Sequence, residues 1–163
     1  MPRLAIPNRL PTLNQIALHP GSGSESKNWP ETQWAELLGR LVAESEINLL
    51  LVGGEAEGER LQRLAAQLPS ARHALARSLP LAELAARLQS GAGFVGHDSG
   101  ISHLAAALGL PCVVLWANTL EAVWRPHGRD VVVLRDHAGL PALRVQRVLD
   151  ALRRILGSAQ ASR

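Results

Sequence analysis

The sequence predicts an α/β fold, a three-layer sandwich in which a mostly parallel sheet of about six strands carries helices on both faces. Three observations support this prediction. Short apolar runs alternate along the chain with longer segments whose apolar residues recur at helical spacing. The run at residues 47–52 is almost continuously apolar, which is typical of a parallel strand buried on both faces. Short turns containing Gly and Pro join the elements, and this alternation is typical of Rossmann-like domains.

The first half of the chain predicts three strands and two helices. Residues 16–18 form a short buried strand, and Pro30 opens a helix because proline suits the first helical turn. A strand at 47–52 ends in a Gly-Gly turn and leads into the second helix, and a weak strand is expected at 73–76. The apolar faces of the two helices are Trp34, Leu37, Leu38, Leu41 and Val42 in the first, and Leu61, Leu64, Ala65 and Leu68 in the second.

The second half continues the alternation. Pro80 opens a helix, residues 93–96 form a strand, residues 99–108 a helix and residues 112–116 another strand. An irregular stretch follows, then a last strand at 131–134 and a closing helix over about 141–156. The apolar positions of that closing helix are Val145, Val148, Leu149, Leu152, Ile155 and Leu156.

The chain divides into three predicted segments. Residues 1–14 contain three prolines, which prevent a helix, and are expected to be extended and linker-like. Residues 15–157 form the domain, and residues 158–163 are expected to be a disordered tail. A length of 163 residues suits one domain with a real core.

The composition excludes several classes of protein. The chain is 47% hydrophobic and 19% charged, as in ordinary globular domains. Its longest apolar run, residues 104–117, is interrupted by Gly109 and Pro111 and is shorter than the roughly 18–20 residues of a membrane span. The net charge is +3 and no aromatic residues interleave with the arginines, so we expect no nucleic-acid partner. The single cysteine, Cys112, lies in an apolar run, which indicates a reduced, cytoplasmic protein.

The segment at residues 96–103 (Gly-His-Asp-Ser-Gly-Ile-Ser-His) joins a predicted strand to a predicted helix. The free backbone N–H groups and the positive dipole end at such a helix start favour an anion, above all a phosphate. An alternative is that Asp98 or Ser99 only caps the helix, as these residue types commonly do.

A second polar segment, the Gly/Ser loop (residues 19–28), follows the first strand. It offers backbone N–H groups, hydroxyls and Lys27, the only lysine beside sixteen arginines, which are the donors that a diphosphate needs. The loop fits neither the P-loop nor the dinucleotide fingerprint. The alternative is a flexible surface turn.

Glu55 and Glu57 follow the second long strand and its Gly-Gly turn. A carboxylate just past a strand end can accept hydrogen bonds from ribose hydroxyls. The alternative is that both are acidic residues opposing the dipole in the first turn of a helix.

Two other kinds of chemistry fit the segment at 96–103 poorly. His97 and His103 are spaced six apart, do not share one helix face and lack a second nearby carboxylate, so we expect no metal. The hydrolase elbow requires its nucleophile at the centre of G-x-S-x-G, but Asp98 occupies that position and Ser99 is out of register.

Three motifs together resemble glycosyltransferase family 9, the heptosyltransferases of lipopolysaccharide synthesis. Residues 19–30 are similar to that family's "HPGSG…KxWP" element, and residues 52–57 to its strand-turn-Glu segment. Residues 98–111 are similar to its "DSGxxHxAAAxGxP" signature. The motifs occur in order and span residues 16 to about 128. The resemblance implies the C-terminal, donor-binding half of a two-domain GT-B fold.

The resemblance also implies a donor site for a nucleotide-sugar, usually ADP-heptose, without a cofactor or bound metal. Lys27 would stabilise the leaving diphosphate, and the catalytic base would belong to the missing N-terminal domain. Glu55 or Glu57 would contact the nucleoside. The donor-binding residues implied by the family motifs are Ser22, Gly23, Lys27, Glu55, Glu57, Asp98, Ser99, Gly100, His103 and Thr119.

Two departures from the family pattern bear on function. The "FGPT" turn reads Trp116-Ala117-Asn118-Thr119 here, which retains Thr119 but changes the local turn and bears on sugar selectivity. The N-terminal acceptor domain is absent from this sequence, so we expect the chain to need that domain or a partner subunit and to be inactive alone. The full enzyme would make at most peripheral contact with the cytoplasmic face of the bacterial inner membrane. The alternative is a stand-alone, non-catalytic nucleotide-binding module that docks a partner through Trp124 and the C-terminal helix.

Overall fold

The computed structural model describes residues 14–161, and within them six strands form one entirely parallel sheet in the order β3-β2-β1-β4-β5-β6. This confirms the predicted Rossmann-like sheet. The strands are β1 Gln15–Leu18, β2 Asn48–Gly53, β3 His73–Arg77, β4 Gly93–His97, β5 Cys112–Leu115 and β6 Val131–Leu134.

The described residues also form six α-helices and three short 3-10 turns. The turns are Glu25–Lys27, Ser70–Arg72 and Leu140–Ala142. The helices are α1 Glu31–Glu44, α2 Gly58–Ala65, α3 Leu81–Gln89, α4 Gly100–Ala107, α5 Glu121–Trp124 and α6 Val145–Ala161.

Two apolar cores cover the two faces of the sheet. Successive strand residues point to opposite faces, so Leu51 packs in one core while its neighbours Leu50 and Val52 pack in the other. The first core contains α1, α2 and α6, and the second contains α3 and α4. The molecule is therefore the predicted three-layer sandwich.

The C-terminal end differs from its prediction. Helix α6 begins at Val145, after the 3-10 turn that contains Pro141, and it extends to Ala161. The prediction of a disordered tail over 158–163 is therefore wrong for residues 158–161. Alanine and glutamine are good helix formers, and the helix continues through Gly157 and Ser158 to Ala161. Residues 162–163, and residues 1–13 of the predicted linker, lie outside the described residues.

The strand order fixes where a ligand is expected to bind. From β1 the chain fills the sheet in one direction with β2 and β3, and from β4 it fills the other with β5 and β6. The connections after β1 and β4 therefore leave to opposite sides. Between them, at the carboxyl ends of these strands, lies the crevice in which such sheets bind ligands.

We predict that Cys112 is chemically inert in the folded protein. Its side chain is fully buried, its thiol donates to the Leu110 carbonyl, and burial raises its pKa to about 12. The thiolate, which is the reactive form, is then almost absent at neutral pH. Ellman's reagent should react with one thiol in urea and with almost none without it. Rapid labelling of the native protein would contradict the buried position.

Candidate functional site

The site lies at the crevice between β1 and β4 and is bordered by the Gly/Ser loop, the segment after β4 and the start of α4. The end of β1 is joined to β4 by the His19 N–H, which donates to the Val95 carbonyl at 2.9 Å. The Gly/Ser loop leaves from this point, while β4 ends at His97 and continues into Asp98 and Ser99. The structure thus brings together two of the polar segments that the sequence singled out.

His97 connects the Gly/Ser loop to β4. Its Nε2 accepts a hydrogen bond from the Trp29 backbone N–H at 2.8 Å, and its Nδ1–H donates to the Gly21 carbonyl, 3.0 Å away. The side chain is fully buried and meets the Trp34 ring edge-on, with ring centroids 5.5 Å apart. Burial lowers the pKa of His97 to about 3, so its imidazole is neutral.

His19 is a second buried histidine beside the crevice. Burial lowers its pKa to about 4, an effect that the nearby Glu57 carboxylate partly offsets. The Ser99 hydroxyl lies 3.3 Å from His19 Nδ1. The Ser99 hydroxyl therefore faces His19 at the end of β1, and no side-chain hydrogen bond caps α4.

Asp98, Lys27 and Thr119 meet on one side of the site, although they come from three different connections. The Thr119 hydroxyl donates to Asp98 Oδ2 at 2.6 Å, and Lys27 Nζ lies 3.9 Å from the same oxygen. The Asp98 side chain is 13% exposed and that of Lys27 is 38% exposed. An ion pair this long and this exposed is weak, so the ammonium remains able to meet an incoming anion.

The rest of the Gly/Ser loop is held by its own side chains and by α2. The Ser22 hydroxyl lies 2.7 Å from Asn28 Oδ1 and 2.8 Å from the Ser24 carbonyl. Gly23 is exposed and has a φ of +76°, a conformation that side chains disfavour. From α2, the Arg60 guanidinium donates to the Pro20 carbonyl and to both oxygens of Glu25, each at 2.9 Å.

Glu55 and Glu57, the two residues predicted to contact the nucleoside, differ in their surroundings. Glu57 Oε2 accepts a hydrogen bond from the Gly54 N–H at 2.9 Å, and its side chain packs so closely on Gly21 that a Cβ there would lie 2.2 Å from Glu57 Cγ. Glu55 is exposed. Glu57 therefore supports the Gly/Ser loop, and contact of either residue with a nucleoside stays a prediction.

The remaining predicted residues lie on α4. Gly100 and His103 are both exposed, and a Cβ added at Gly100 would meet nothing within 4 Å.

Within residues 14–161 no group of three or more His, Cys, Asp or Glu side chains is arranged to hold a metal ion. Both ring nitrogens of His97 are already bonded to the backbone of the Gly/Ser loop and Trp29.

Sequence reasoning missed the parts played by His97, Arg60 and Trp29. His97 was considered only as a metal ligand, although a histidine at the end of a buried strand needs partners for its two ring nitrogens. The need to pair both ring nitrogens is the feature of the sequence that could have indicated a structural role for His97. The partners themselves are distant along the chain, and nothing local identifies them.

An exposed apolar patch, formed by Leu120, Val123 and Trp124, directly follows Thr119. These side chains are 72%, 62% and 56% exposed. Trp124, which the sequence marked as a docking residue, is therefore accessible.

Among the helices of the described residues, none combines the length and the apolar character that crossing a membrane requires.

The fold and the site define a Rossmann-like domain whose switch-point crevice combines a helix N-terminus, a Gly-rich loop and a lysine, the elements of a phosphate-binding site. The chain belongs to glycosyltransferase family 9, the heptosyltransferases, whose family model it matches over residues 9–152. This confirms the resemblance that the three motifs indicated.

Curated relatives agree with this assignment. Lipopolysaccharide heptosyltransferase 1 of Pseudomonas aeruginosa is 38% identical over 119 residues, which are 73% of this chain and 33% of the relative. The enzyme of the same name from Escherichia coli is 37% identical over 133 residues, which are 78% of this chain and 40% of the relative. The chain thus spans between a third and two fifths of these relatives.

Solved structures show the same partial coverage. The ADP-heptose lipopolysaccharide heptosyltransferase II of Escherichia coli superposes with a TM-score of 0.83 at 26% identity, over 90% of this chain and 47% of that one. The Escherichia coli heptosyltransferase WaaC, solved with ADP, gives 0.81 at 27% identity, over 88% and 45%. The chain has the fold of about one half of these enzymes.

We predict that the two buried histidines make stability depend on pH. In the unfolded chain both titrate near the usual pKa of 6.5, whereas burial lowers the folded-state pKa of His19 to about 4 and that of His97 to about 3. The two neutral rings contribute fully to the free energy of unfolding above pH 6.5. This contribution is lost as the pH falls toward the folded-state pKa values. The free energy of unfolding should drop by up to about 1.4 kcal/mol per pH unit for each histidine.

Urea unfolding between about pH 7.5 and 5 measures this slope, in a range above the titration of most carboxylates. His19→Asn should remove about half of the slope. His137→Asn is the control, because the His137 side chain is fully exposed and should leave the slope unchanged. A flat profile in the unmodified protein would contradict the buried, neutral state of both rings.

Proposed function

We propose that this chain is the donor-binding half of a family 9 glycosyltransferase and holds an ADP-sugar, ADP-heptose above all, by its diphosphate. The observation that carries the proposal is the convergence of Lys27, Asp98 and Thr119 beside the start of α4, at the β1–β4 crevice. Support also comes from the relatives, one of which was solved with ADP and is 27% identical to this chain.

In the proposed complex the diphosphate lies between the Gly/Ser loop and the N-terminus of α4. The positive end of the helix dipole, the free N–H groups near Ser99 and Gly100 and the Lys27 ammonium meet its negative charge. Ser22 and Gly23 approach it from the loop. Asp98 and His103 face the transferred sugar, and Glu55 or Glu57 accepts from the ribose hydroxyls.

The proposed reaction breaks the bond between the sugar and the diphosphate as an acceptor hydroxyl attacks the sugar carbon. Negative charge then develops on the leaving diphosphate, and Lys27 and the α4 N-terminus stabilise it without a metal ion. The attacking hydroxyl must lose a proton, and we assign the base to an acceptor-binding domain outside this chain. Such a reaction would take place at the cytoplasmic face of the bacterial inner membrane.

We predict that Lys27→Ala weakens ADP binding by about 1.5–3 kcal/mol, which is about ten- to a hundredfold, because a charge-assisted hydrogen bond to phosphate is lost. Titration calorimetry measures the change. Arg154→Ala, which removes an exposed cation from α6, is the matched control and should leave the affinity unaltered. Equal affinities for the unmodified protein and Lys27→Ala would remove Lys27 from the site.

An NMR titration with ADP, UDP and GDP tests the site as a whole. Shifts confined to amides near Lys27, Glu55 and residues 98–103 with ADP, and weaker ones with the other two nucleotides, would support an adenosine donor. The absence of shifts at millimolar ADP would contradict donor binding by this chain. Binding without any transfer in the presence of an acceptor domain would favour the non-catalytic module instead.

We also propose that the partner of this chain is an acceptor-binding domain that covers the patch of Leu120, Val123 and Trp124. The patch adjoins Thr119, and so lies at the edge of the sheet where donor and acceptor must meet. Exposed apolar groups that cluster at such a place are typical of interaction sites.

We predict that Leu120→Ser weakens association with the N-terminal half of the Pseudomonas aeruginosa relative, supplied as a separate chain, and leaves ADP affinity unaltered. Leu81→Ser is the matched control, since Leu81 is 70% exposed and Leu120 is 72% exposed. Analytical ultracentrifugation measures the association. Equal losses in the two variants, or no association of the unmodified chain, would overturn the assigned surface.

A further inference from the structure

We propose that His97 is a positioning residue for the donor, which fixes the distance between the two walls of the crevice. This inference rests on the proposed function, because it concerns the placement of the groups that bind the diphosphate. One wall is the Gly/Ser loop and the other is the first turn of α4.

The side chain of His97 holds the first wall. Its ring accepts from the Trp29 N–H and donates to the Gly21 carbonyl, so a single rigid imidazole is bonded near both ends of the Gly/Ser loop. Trp29 is itself anchored, because its indole N–H donates to the Leu143 carbonyl at 2.8 Å. The loop is therefore closed around one side chain of β4.

The backbone of the same residue holds the second wall. The buried Ser102 hydroxyl donates to the His97 carbonyl at 2.5 Å, which ties the first turn of α4 to the end of β4. Asp98 follows His97 directly, so the orientation of its carboxylate is set from the same point. Both walls are thus fastened to one residue, and movement of its ring changes their spacing.

The arrangement requires the neutral tautomer with the proton on Nδ1. Protonated Nε2 would place an N–H against the N–H of Trp29, and loss of the proton from Nδ1 would place a lone pair against the Gly21 carbonyl. The ring has little room to turn, since it is fully buried against Trp34. The Glu57 side chain packs closely against Gly21.

The test compares two substitutions of His97. His97→Leu fills the same space with an apolar side chain but leaves the Trp29 N–H and the Gly21 carbonyl unpaired. It should weaken ADP binding at least about tenfold. His97→Gln supplies an amide N–H and an amide oxygen, so we expect it to restore most of that loss. His137→Asn is the control. Circular dichroism and urea unfolding establish whether each variant folds.

Imidazole ¹⁵N NMR of the unmodified protein tests the tautomer even if His97→Leu does not fold. We expect a protonated Nδ1 and an unprotonated Nε2, with a hydrogen-bonded Trp29 amide that exchanges slowly. The opposite tautomer, or ADP affinity in folded His97→Leu equal to that of the unmodified protein, would overturn the positioning role alone. Failure of the unmodified protein to bind ADP would overturn the proposed function, and this inference with it.

Discussion

The parallel pairing of β1 with β4 is the constraint on which the rest of the structure depends. It joins two strands that lie far apart in the sequence, and from this pair the sheet grows in opposite directions. The connections leaving β1 and β4 must therefore diverge, and their polar groups cannot all be satisfied by strand or helix bonds. In this protein the connections at that edge are the Gly/Ser loop, which contains Lys27, and the segment that leads from β4 into α4.

The titratable groups around the crevice are either buried and neutral or more exposed and ionised. Burial keeps His19 and His97 uncharged, so they contribute hydrogen bonds and fixed geometry without adding positive charge. In the proposed complex, the attraction for the diphosphate comes from Lys27 and the α4 dipole. Asp98 would oppose an anion; the Thr119 hydroxyl donates to one of its carboxylate oxygens, and Lys27 Nζ lies 3.9 Å from the same oxygen.

The sequence predicted the layers of the fold well because each strand and helix carries its own apolar period. Leu50 and Leu51 identify a strand buried on both faces without reference to the rest of the chain. It predicted the end of α6 poorly, because residues 157–161 lack the apolar periodicity that marks the rest of the helix. The site was predicted as three polar segments, but the role of His97 was not, since its partners Gly21 and Trp29 are set by tertiary pairing.

The turn after β5 departs from the family pattern and is closed by a side chain of this protein. Ala117 and Asn118 stand where the family has Gly and Pro, yet the turn is closed by the Trp116 indole N–H, which donates to the Thr119 carbonyl at 2.8 Å. Trp116 is itself buried and continues the β5–β6 pairing through its backbone N–H, which donates to Leu134. From this turn the Thr119 hydroxyl donates to Asp98, so the residue that matches the family motif lies beside the crevice.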